Sequence, residues 1–372
     1  PFMGRVSDIF GRRLVFVTCL GIFALGSVMV VLAPNLPWMV VARAVTGIGG
    51  GAMVPVAIAI VGDVFPDERR PFAMGILGAV DTAGWIWGPL FGATLVRYLS
   101  WRWQFYLNLP LSALAAAAAF YALRDLTSPV VSERGNRRLD VMGAVLLTVA
   151  LLAVNIGLTQ VGGGLGGASP SFDFDQPQGS GSSLTKAVPI ILVGGIVFGL
   201  FALAERRQAI KSRVPPLIDL TMFRRRNFNL ACIVNFTTGF VLIIAMVNVP
   251  IFVNVILGET IQSAAVESGR ILSALTVAMA IASVLGGWLC ERFGYRLPTL
   301  LGLALIGGAF LLMGMTWQVD VSYGQMALQL AMAGGGFGLV IAPTATAVVD
   351  DVLSDQRGVA SALVIVLRLM GM

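Results

Sequence analysis

Histidine is absent from this chain of 372 residues, and charged residues make up only 12% of it. The absence of histidine excludes a histidine metal site, a histidine-based catalytic triad and an imidazole proton relay. Typical soluble domains carry about a quarter charged residues, so this low charge, with 57% apolar residues, excludes an ordinary soluble protein and a disordered chain. The three cysteines, Cys19, Cys232 and Cys290, form no C-x-x-C pair, so we expect no disulfide framework, no metal site and no cofactor.

What the chain has instead is a series of long apolar runs. A helix of about 20 residues crosses the roughly 30 Å hydrocarbon core of a bilayer. Eleven runs are candidates: 14–33, 38–62, 72–96, 104–123, 141–161, 187–204, 228–256, 271–290, 297–316, 324–349 and a last run from about 359. One such run could be a buried core helix, but eleven in series predict an all-α, polytopic membrane protein.

Lysine and arginine are unequally shared between the loops. With residues 1–13 in the cytoplasm, 19 of them fall in cytoplasmic loops and 4 in external ones, as the positive-inside rule requires. This bias predicts a multi-pass protein of the cell (inner) membrane, with an external loop at 162–185. It also accounts for the excess of basic residues, so we expect no nucleic-acid partner. The basic segment 205–227 either lies along the anionic membrane surface or is a solvated linker.

Two sequence motifs occur twice. The loop GRVSDIFGRR at 4–13 is similar to GWLCERFGYR at 287–296, 283 residues later, and a pattern of glycine, proline, aspartate and arginine at 47–69 recurs 288 residues later. Both copies have the same orientation, which is typical of transporters built from two similar halves. We predict an N-terminal half at 1–123, a linker region with two extra helices at 124–227, and an incomplete C-terminal half at 228–372.

Three segments carry a resemblance to a known family. GRVSDIFGRR resembles the loop motif of the major facilitator superfamily, ARAVTGIGGG at 42–51 its fourth-helix motif, and GWIWGPLFG at 84–92 the fifth-helix motif of its exporters. The two extra helices are similar to those of its fourteen-helix drug:proton antiporter branch. The resemblance implies a major facilitator fold with two pseudo-symmetric halves plus two inserted helices. It also implies that the eleven runs are helices three to thirteen, so that the chain is truncated at both ends.

The loop motif is the first candidate site. Its residues are Gly4, Asp8, Gly11, Arg12 and Arg13, with Glu291 and Arg296 among the counterparts in the second copy. The spacing predicts that Asp8 caps the N-terminus of the following helix and pairs with Arg12, four residues on. The resemblance implies a charge latch that holds the two halves together on the cytoplasmic side. The alternative is ordinary cytoplasmic positive charge beside a good helix cap.

Charges inside the apolar runs give the second candidate site. Arg43 and Asp81 each lie within a predicted span, where a charge is costly and marks a functional candidate. The resemblance makes Arg43 a proton-coupling residue, and Asp81 with its neighbour Trp85 completes the predicted proton-coupling or substrate site. Alternatively, Arg43 snorkels to the outer headgroups and Asp81 is a structural polar group. The exporter-motif residues that share the helix with Asp81 are Gly84, Gly88, Pro89 and Gly92.

These features predict a secondary active transporter, and no enzyme. We expect it to export an amphiphilic drug-like compound in exchange for protons, by alternating access. The expected partners are the lipid bilayer, the small-molecule substrate and protons, and we expect a monomer. One alternative is a proton-coupled symporter or facilitator of a small organic solute. Another is a membrane enzyme that binds magnesium through the aspartates of DDVLSD at 350–355, but Asp351 and Arg357 have repeat partners in Asp63 and Arg69, which indicates a helix-end motif.

Overall fold

The computed structural model describes residues 1–124, 140–162, 180–211, 217–256 and 261–372; side chains at 85–94 and at a few other helical positions are outside the description. Every regular element of the described residues is helical, which confirms the all-α prediction. Three short helical turns lie at Leu220–Arg224, Phe252–Ile256 and Ser354–Gln356. The α-helices are α1 (Phe2–Phe10), α2 (Arg12–Val31), α3 (Leu36–Val64), α4 (Arg70–Tyr98), α5 (Trp103–Ala122), α6 (Val141–Gly162), α7 (Ser180–Lys211), α8 (Arg226–Ile251), α9 (Ile261–Phe293), α10 (Arg296–Thr316), α11 (Tyr323–Asp350) and α12 (Arg357–Gly371).

Nine helices of the described residues, α2, α3 and α5–α11, are long and apolar enough to cross a membrane. This finding confirms the prediction of a polytopic membrane protein. The two other predicted runs lie on α4, which has 29 residues, and on α12, which has 15. Burial distinguishes the helices, because 83% of the most apolar stretch of α11 is buried, against 11% for α5. We infer that α11 is central and that α5 is peripheral.

The helices belong to two compact units. The first comprises α1–α5 and α8–α12, and the second comprises α6 and α7. The core of the first unit lies around α11, where Met326, Leu330 and Phe337 are fully buried together with Leu275 of α9. Because lipid is as apolar as these side chains, close packing supplies most of the attraction between helices in a membrane. The predicted division into halves at residues 123 and 228 stays a prediction.

The backbone repeats at the positions that the sequence motifs predict. Gly11 and Gly294, 283 residues apart, are the residues with positive φ in the described part of the chain, at 96° and 73°. Both lie at the turn that starts a long helix, where a side chain would be strained. The N-caps of α3 and α11 are equivalent too, because Asn35 and Ser322 each accept a hydrogen bond from the backbone N–H three residues on.

Helices α9 and α11 approach closely at Gly334, where an added Cβ would overlap the backbone carbonyl of Leu275. We therefore expect Gly334→Ala to lower the Tm of the detergent-solubilised protein, since overpacking costs roughly 1–3 kcal/mol. Gly335 is the matched control because the space around it is open. Gly335→Ala should leave the Tm unchanged or raise it slightly, as alanine favours a helix by roughly 0.5–1 kcal/mol over glycine. Equal Tm values for the two variants would contradict this packing.

Candidate functional site

The predicted mid-membrane acid, Asp81, has a partner on another helix. Arg368 of α12 donates from Nη2 to Asp81 Oδ2 of α4 over 3.3 Å. The side chain of Asp81 is 23% exposed and that of Arg368 is 17% exposed, so both charges are largely withdrawn from the surface. Each residue lies eleven positions after the first residue of its helix, Arg70 or Arg357. At 1.5 Å per residue this depth is roughly 16 Å, about half of the hydrocarbon core.

The position of this pair follows from the sequence repeat. Arg69 and Arg357 occupy corresponding places in the two copies, so Asp81 and Arg368 are equivalent to within one residue of that alignment. Two parallel repeats are related by an axis along the membrane normal. Equivalent residues of the two copies can touch only near this axis. We conclude that the ion pair joins the first copy of the repeat to the second at their common centre.

A small cavity of about 40 Å³ adjoins the pair. Its lining comes from α3, α4, α8, α11 and α12, and is apolar except for Asp81, Arg368 and Asn235. The lining includes Met74, which is seven residues closer to the first residue of α4 than Asp81. A site of roughly 10–15 Å³ already accommodates a water molecule when polar partners are present. The cavity is therefore large enough to hold water beside the ion pair.

Arg43, the other predicted mid-membrane charge, does not join Asp81. Its guanidinium carbon lies 5.6 Å from the centre of the Phe105 ring on α5, and its side chain is exposed. Gly47 and Gly51 follow on the same face of α3, and the space beside each of them is open. Among the described residues, no helix packs closely against this glycine face.

The exporter motif lies on the outer part of α4. The helix continues from Asp81 through Gly88 and Pro89 as far as Tyr98, so the proline does not end it. Gly84, one turn beyond Asp81, has open space where a Cβ would stand. The side-chain surroundings of Trp85, Gly88, Pro89 and Gly92 are outside the described residues.

The loop motif forms a buried network with α12 that we call the first latch. Arg12 contacts Asp8 Oδ1 at 2.5 Å and donates from Nε to Asp63 Oδ2 at 2.9 Å. Arg357, the first residue of α12, donates to Asp63 Oδ1 at 3.0 Å. The next amide, that of Gly358, donates to Asp8 Oδ1 at 3.3 Å. The Asp63 carboxylate therefore accepts hydrogen bonds from Arg12 of the first copy of the repeat and from Arg357 of the second.

Asp8 caps a different helix from the one that its spacing predicts. The N-cap of α2 is Gly11, which makes no side-chain cap, whereas Asp8 lies in the last turn of α1. Its carboxylate reaches the first turn of α12 instead, because Gly4 and Gly358 lack side chains there and the helices touch. Burial raises the pKa of Asp8 to about 7, against the opposing effect of Arg12. The predicted pair of Asp8 with Arg12 is present.

A second latch occupies the symmetry-related place. Arg70, the first residue of α4, pairs with Asp350 at the end of α11, and the Tyr295 hydroxyl also donates to Asp350. Tyr295 follows Arg12 by 283 residues, so a phenol replaces the arginine of the first latch. Burial, together with the Asp350 carboxylate, raises the pKa of Tyr295 above its usual value. The helix contact is repeated as well, because a Cβ on Gly287 would overlap the carbonyl of Pro71.

The remaining loop-motif residues lie outside the two latches. Glu291 and Arg296 of the second copy are exposed, in contrast to the buried Asp8 and Arg12. The guanidinium of Arg13 lies over the Phe120 ring of α5, at 3.9 Å from its centre.

Six residues of the ion pair and the two latches were not among the predicted site residues: Asp63, Arg70, Tyr295, Asp350, Arg357 and Arg368. Arg368 had a usable signal, since it is a charge within an apolar run and lies at the same distance from its helix start as Asp81. Asp350 immediately precedes Asp351, which is the aspartate of the repeated helix-end pattern. Tyr295 gave no signal, because a neutral residue stands where the first copy has arginine.

The whole chain, residues 1–372, matches the family model described as Major Facilitator Superfamily. A triacylglyceride transporter of Mycolicibacterium hassiacum is 34% identical over all of this chain and 66% of its own length. Multidrug resistance protein 3 of Bacillus subtilis is 31% identical over all of this chain and 67% of its own length. The chain thus spans about two-thirds of these relatives. The human organic anion transporter MFSD10 shares the fold at a TM-score of 0.59 and 18% identity, over all of this chain and 71% of its own.

The first latch makes Asp63 the link between the two copies. Asp63→Asn removes a carboxylate that is only 12% exposed and weakens two charge-assisted hydrogen bonds, each worth roughly 1.5–3 kcal/mol. We expect spin labels at Phe65 of the first copy and Leu353 of the second, both exposed residues, to show an additional population at longer distance in double electron–electron resonance. Glu68→Gln is the control, because Glu68 is exposed on the same loop and is not a member of either latch. An unchanged distance distribution in Asp63→Asn would show that the latch does not hold the two copies together at this end.

Proposed function

The chain belongs to the major facilitator superfamily, and we propose that the full-length protein exports an amphiphilic compound in exchange for protons. The observation that carries the proposal is the pairing of Asp81 with Arg368 at mid-membrane, between the two copies of the repeat. The family and its transporter-named relatives point to a non-enzymatic protein. The proposal includes location in the inner membrane, a fourteen-helix full-length chain and action as a monomer.

Proton coupling would act through the charge of Asp81. In the ionised state its carboxylate neutralises Arg368, and neither charge faces the bilayer alone. Protonation of Asp81 leaves Arg368 as an uncompensated charge, which is strongly unfavourable in a buried site. The protein is then driven toward an arrangement in which Arg368 meets water or another partner. Uptake and release of one proton would thereby shift the equilibrium between two conformations.

The cytoplasmic latches would set which side is open. Both latches join the two copies at their cytoplasmic ends, and Ser283 of α9 adds a hydrogen bond of 3.0 Å to the Gly75 carbonyl of α4. Contacts of this kind close the cytoplasmic side and are those expected of an outward-facing form. Opening toward the cytoplasm would require both latches to separate together, because each latch joins the first copy of the repeat to the second.

The chemistry of the substrate follows from the surroundings of the pair. The cavity beside Asp81 offers one acid, one base and one amide among apolar side chains. Such a surface suits a molecule with a large apolar body and few polar groups. Relatives are named both as triacylglyceride transporters and as multidrug transporters. A cationic amphiphile and a neutral lipid are therefore the two substrates to compare, and only the cation would gain from direct contact with Asp81.

The decisive test is transport by Asp81→Asn in the full-length protein. In everted vesicles with an acidic interior, we expect the wild type to accumulate a cationic amphiphilic dye and to lose it when the pH gradient is collapsed. Asparagine cannot exchange a proton, so Asp81→Asn should still bind the dye but should not accumulate it. Asp81→Glu should retain partial activity.

Asp320→Asn is the matched control, since Asp320 is an exposed acid outside the spans. Uphill accumulation by Asp81→Asn equal to that of the control would place the proton site elsewhere. Movement of substrate in the same direction as protons would instead indicate a symporter. Movement that ignores the gradient altogether would indicate a facilitator. A triacylglyceride assayed in parallel distinguishes the two substrate classes.

A further inference from the structure

Two buried carboxyl groups of the second unit take no part in the proposed export. Asp140 immediately precedes α6, and Glu205 lies near the end of α7. They are 5% and 1% exposed. Asp140 has an evident structural task, because its Oδ1 accepts a hydrogen bond of 2.8 Å from the Gly143 amide in the first turn of α6. The carboxyl of Glu205 accepts no comparable hydrogen bond among the described residues.

Gly143 allows these two carboxyls to approach each other. An added Cβ at Gly143 would lie 2.2 Å from Asp140 Oδ2 and 2.8 Å from Glu205 Oε1. The two oxygens are therefore within 5.0 Å of each other, on the same side of the first turn of α6. Any side chain at this position would push them apart.

The facing oxygens lack hydrogen-bond partners. Asp140 Oδ2 and both carboxyl oxygens of Glu205 are buried and unpartnered among the described residues. The amides of Leu217 and Ile218 approach Glu205 without reaching hydrogen-bond geometry. Arg206 and Arg207, which follow Glu205 on α7, are exposed. Two ionised carboxylates can only accept hydrogen bonds, so they repel each other and leave these oxygens unsatisfied.

We propose that Asp140 and Glu205 share one proton and so form a pH-sensitive clamp between the start of α6 and the end of α7. The proton comes from water, and no other bond is made or broken. The neutral carboxyl supplies the donor that both groups lack, and a single negative charge remains. Release of this proton would place two negative charges side by side in a buried site and loosen the contact between the helices. The clamp acts independently of the exchange at Asp81.

The dependence of stability on pH follows from the shared proton. In the proposal, the folded pair keeps a proton that two separated carboxyls would have released. This proton adds to the free energy of unfolding, and the contribution is fully present at low pH. That stability is lost as the pH rises through the value at which the pair ionises. In Glu205→Gln the amide replaces the carboxyl donor and does not ionise, so this part of the pH dependence should disappear.

Infrared spectroscopy of the full-length protein provides the test. We expect a carboxylic-acid C=O band at neutral pH that shifts in deuterium oxide and that loses the same component in Glu205→Gln and in Asp140→Asn. Any contribution of Asp8, whose pKa is raised to about 7, should remain in both variants. Glu267→Gln is the control, because Glu267 is paired with Arg270 at 3.1 Å on the surface and should leave the band intact. Gly143→Ala should weaken the band by separating the carboxyls, whereas Gly195→Ala on α7, where space is open, should not.

The wild-type protein alone can overturn the proposal, even if a variant fails to fold. Absence of a deuterium-sensitive acid band at neutral pH would mean that both groups are ionised. A Tm of the wild type that rises on addition of sodium or calcium chloride, but not of potassium chloride at equal ionic strength, would identify a cation site instead. Either result contradicts the shared proton. Export driven by a pH gradient should persist in Glu205→Gln, so failure of the clamp is separable from failure of the transport proposal.

Discussion

A charged side chain in the middle of a bilayer is stable only beside a counter-charge, and this requirement organises the first unit around Asp81 and Arg368. Each would be untenable alone, because a mid-membrane charge costs several kcal/mol on most scales. Together they form a side-chain contact between α4 and α12. The first latch also places a counter-charge beside a buried charge, because Arg12 and Asp8 are almost completely buried and lie 2.5 Å apart.

The contacts between the two copies of the repeat are individually modest. Asp63 receives two arginines, and Asp350 receives an arginine and a phenol. A charge-assisted hydrogen bond contributes roughly 1.5–3 kcal/mol, and a two-state equilibrium is reversed by about 5.5 kcal/mol. In the proposed mechanism, a change of one charge at the centre would have to offset these contacts. Alternating access would require such a balance, since neither conformation can then be much more stable than the other.

The sequence predicted features that depend on local spacing. The all-α membrane fold followed from the apolar runs, and the Asp8–Arg12 pair followed from the separation of four residues. Tertiary partners were not predictable in this way. Local spacing cannot tell which helix terminus Asp8 reaches, and the structure places it at α12. Arg368 was recognisable as a charge within an apolar run, but its pairing with Asp81, which is 287 residues away, could not be read from local spacing.

The central claim is that export depends on the Asp81–Arg368 pair itself and not on either residue alone. Because the two positions are nearly equivalent in the repeat, an exchanged pair can occupy the same place. The most direct measurement compares pH-gradient-driven export by Asp81→Arg, by Arg368→Asp and by the double variant, at equal expression in one membrane preparation. We expect both single variants to be inactive, since each leaves two like charges at mid-membrane, and we expect the double variant to regain measurable export. A double variant as inactive as the singles, although folded and able to bind substrate, would contradict the account.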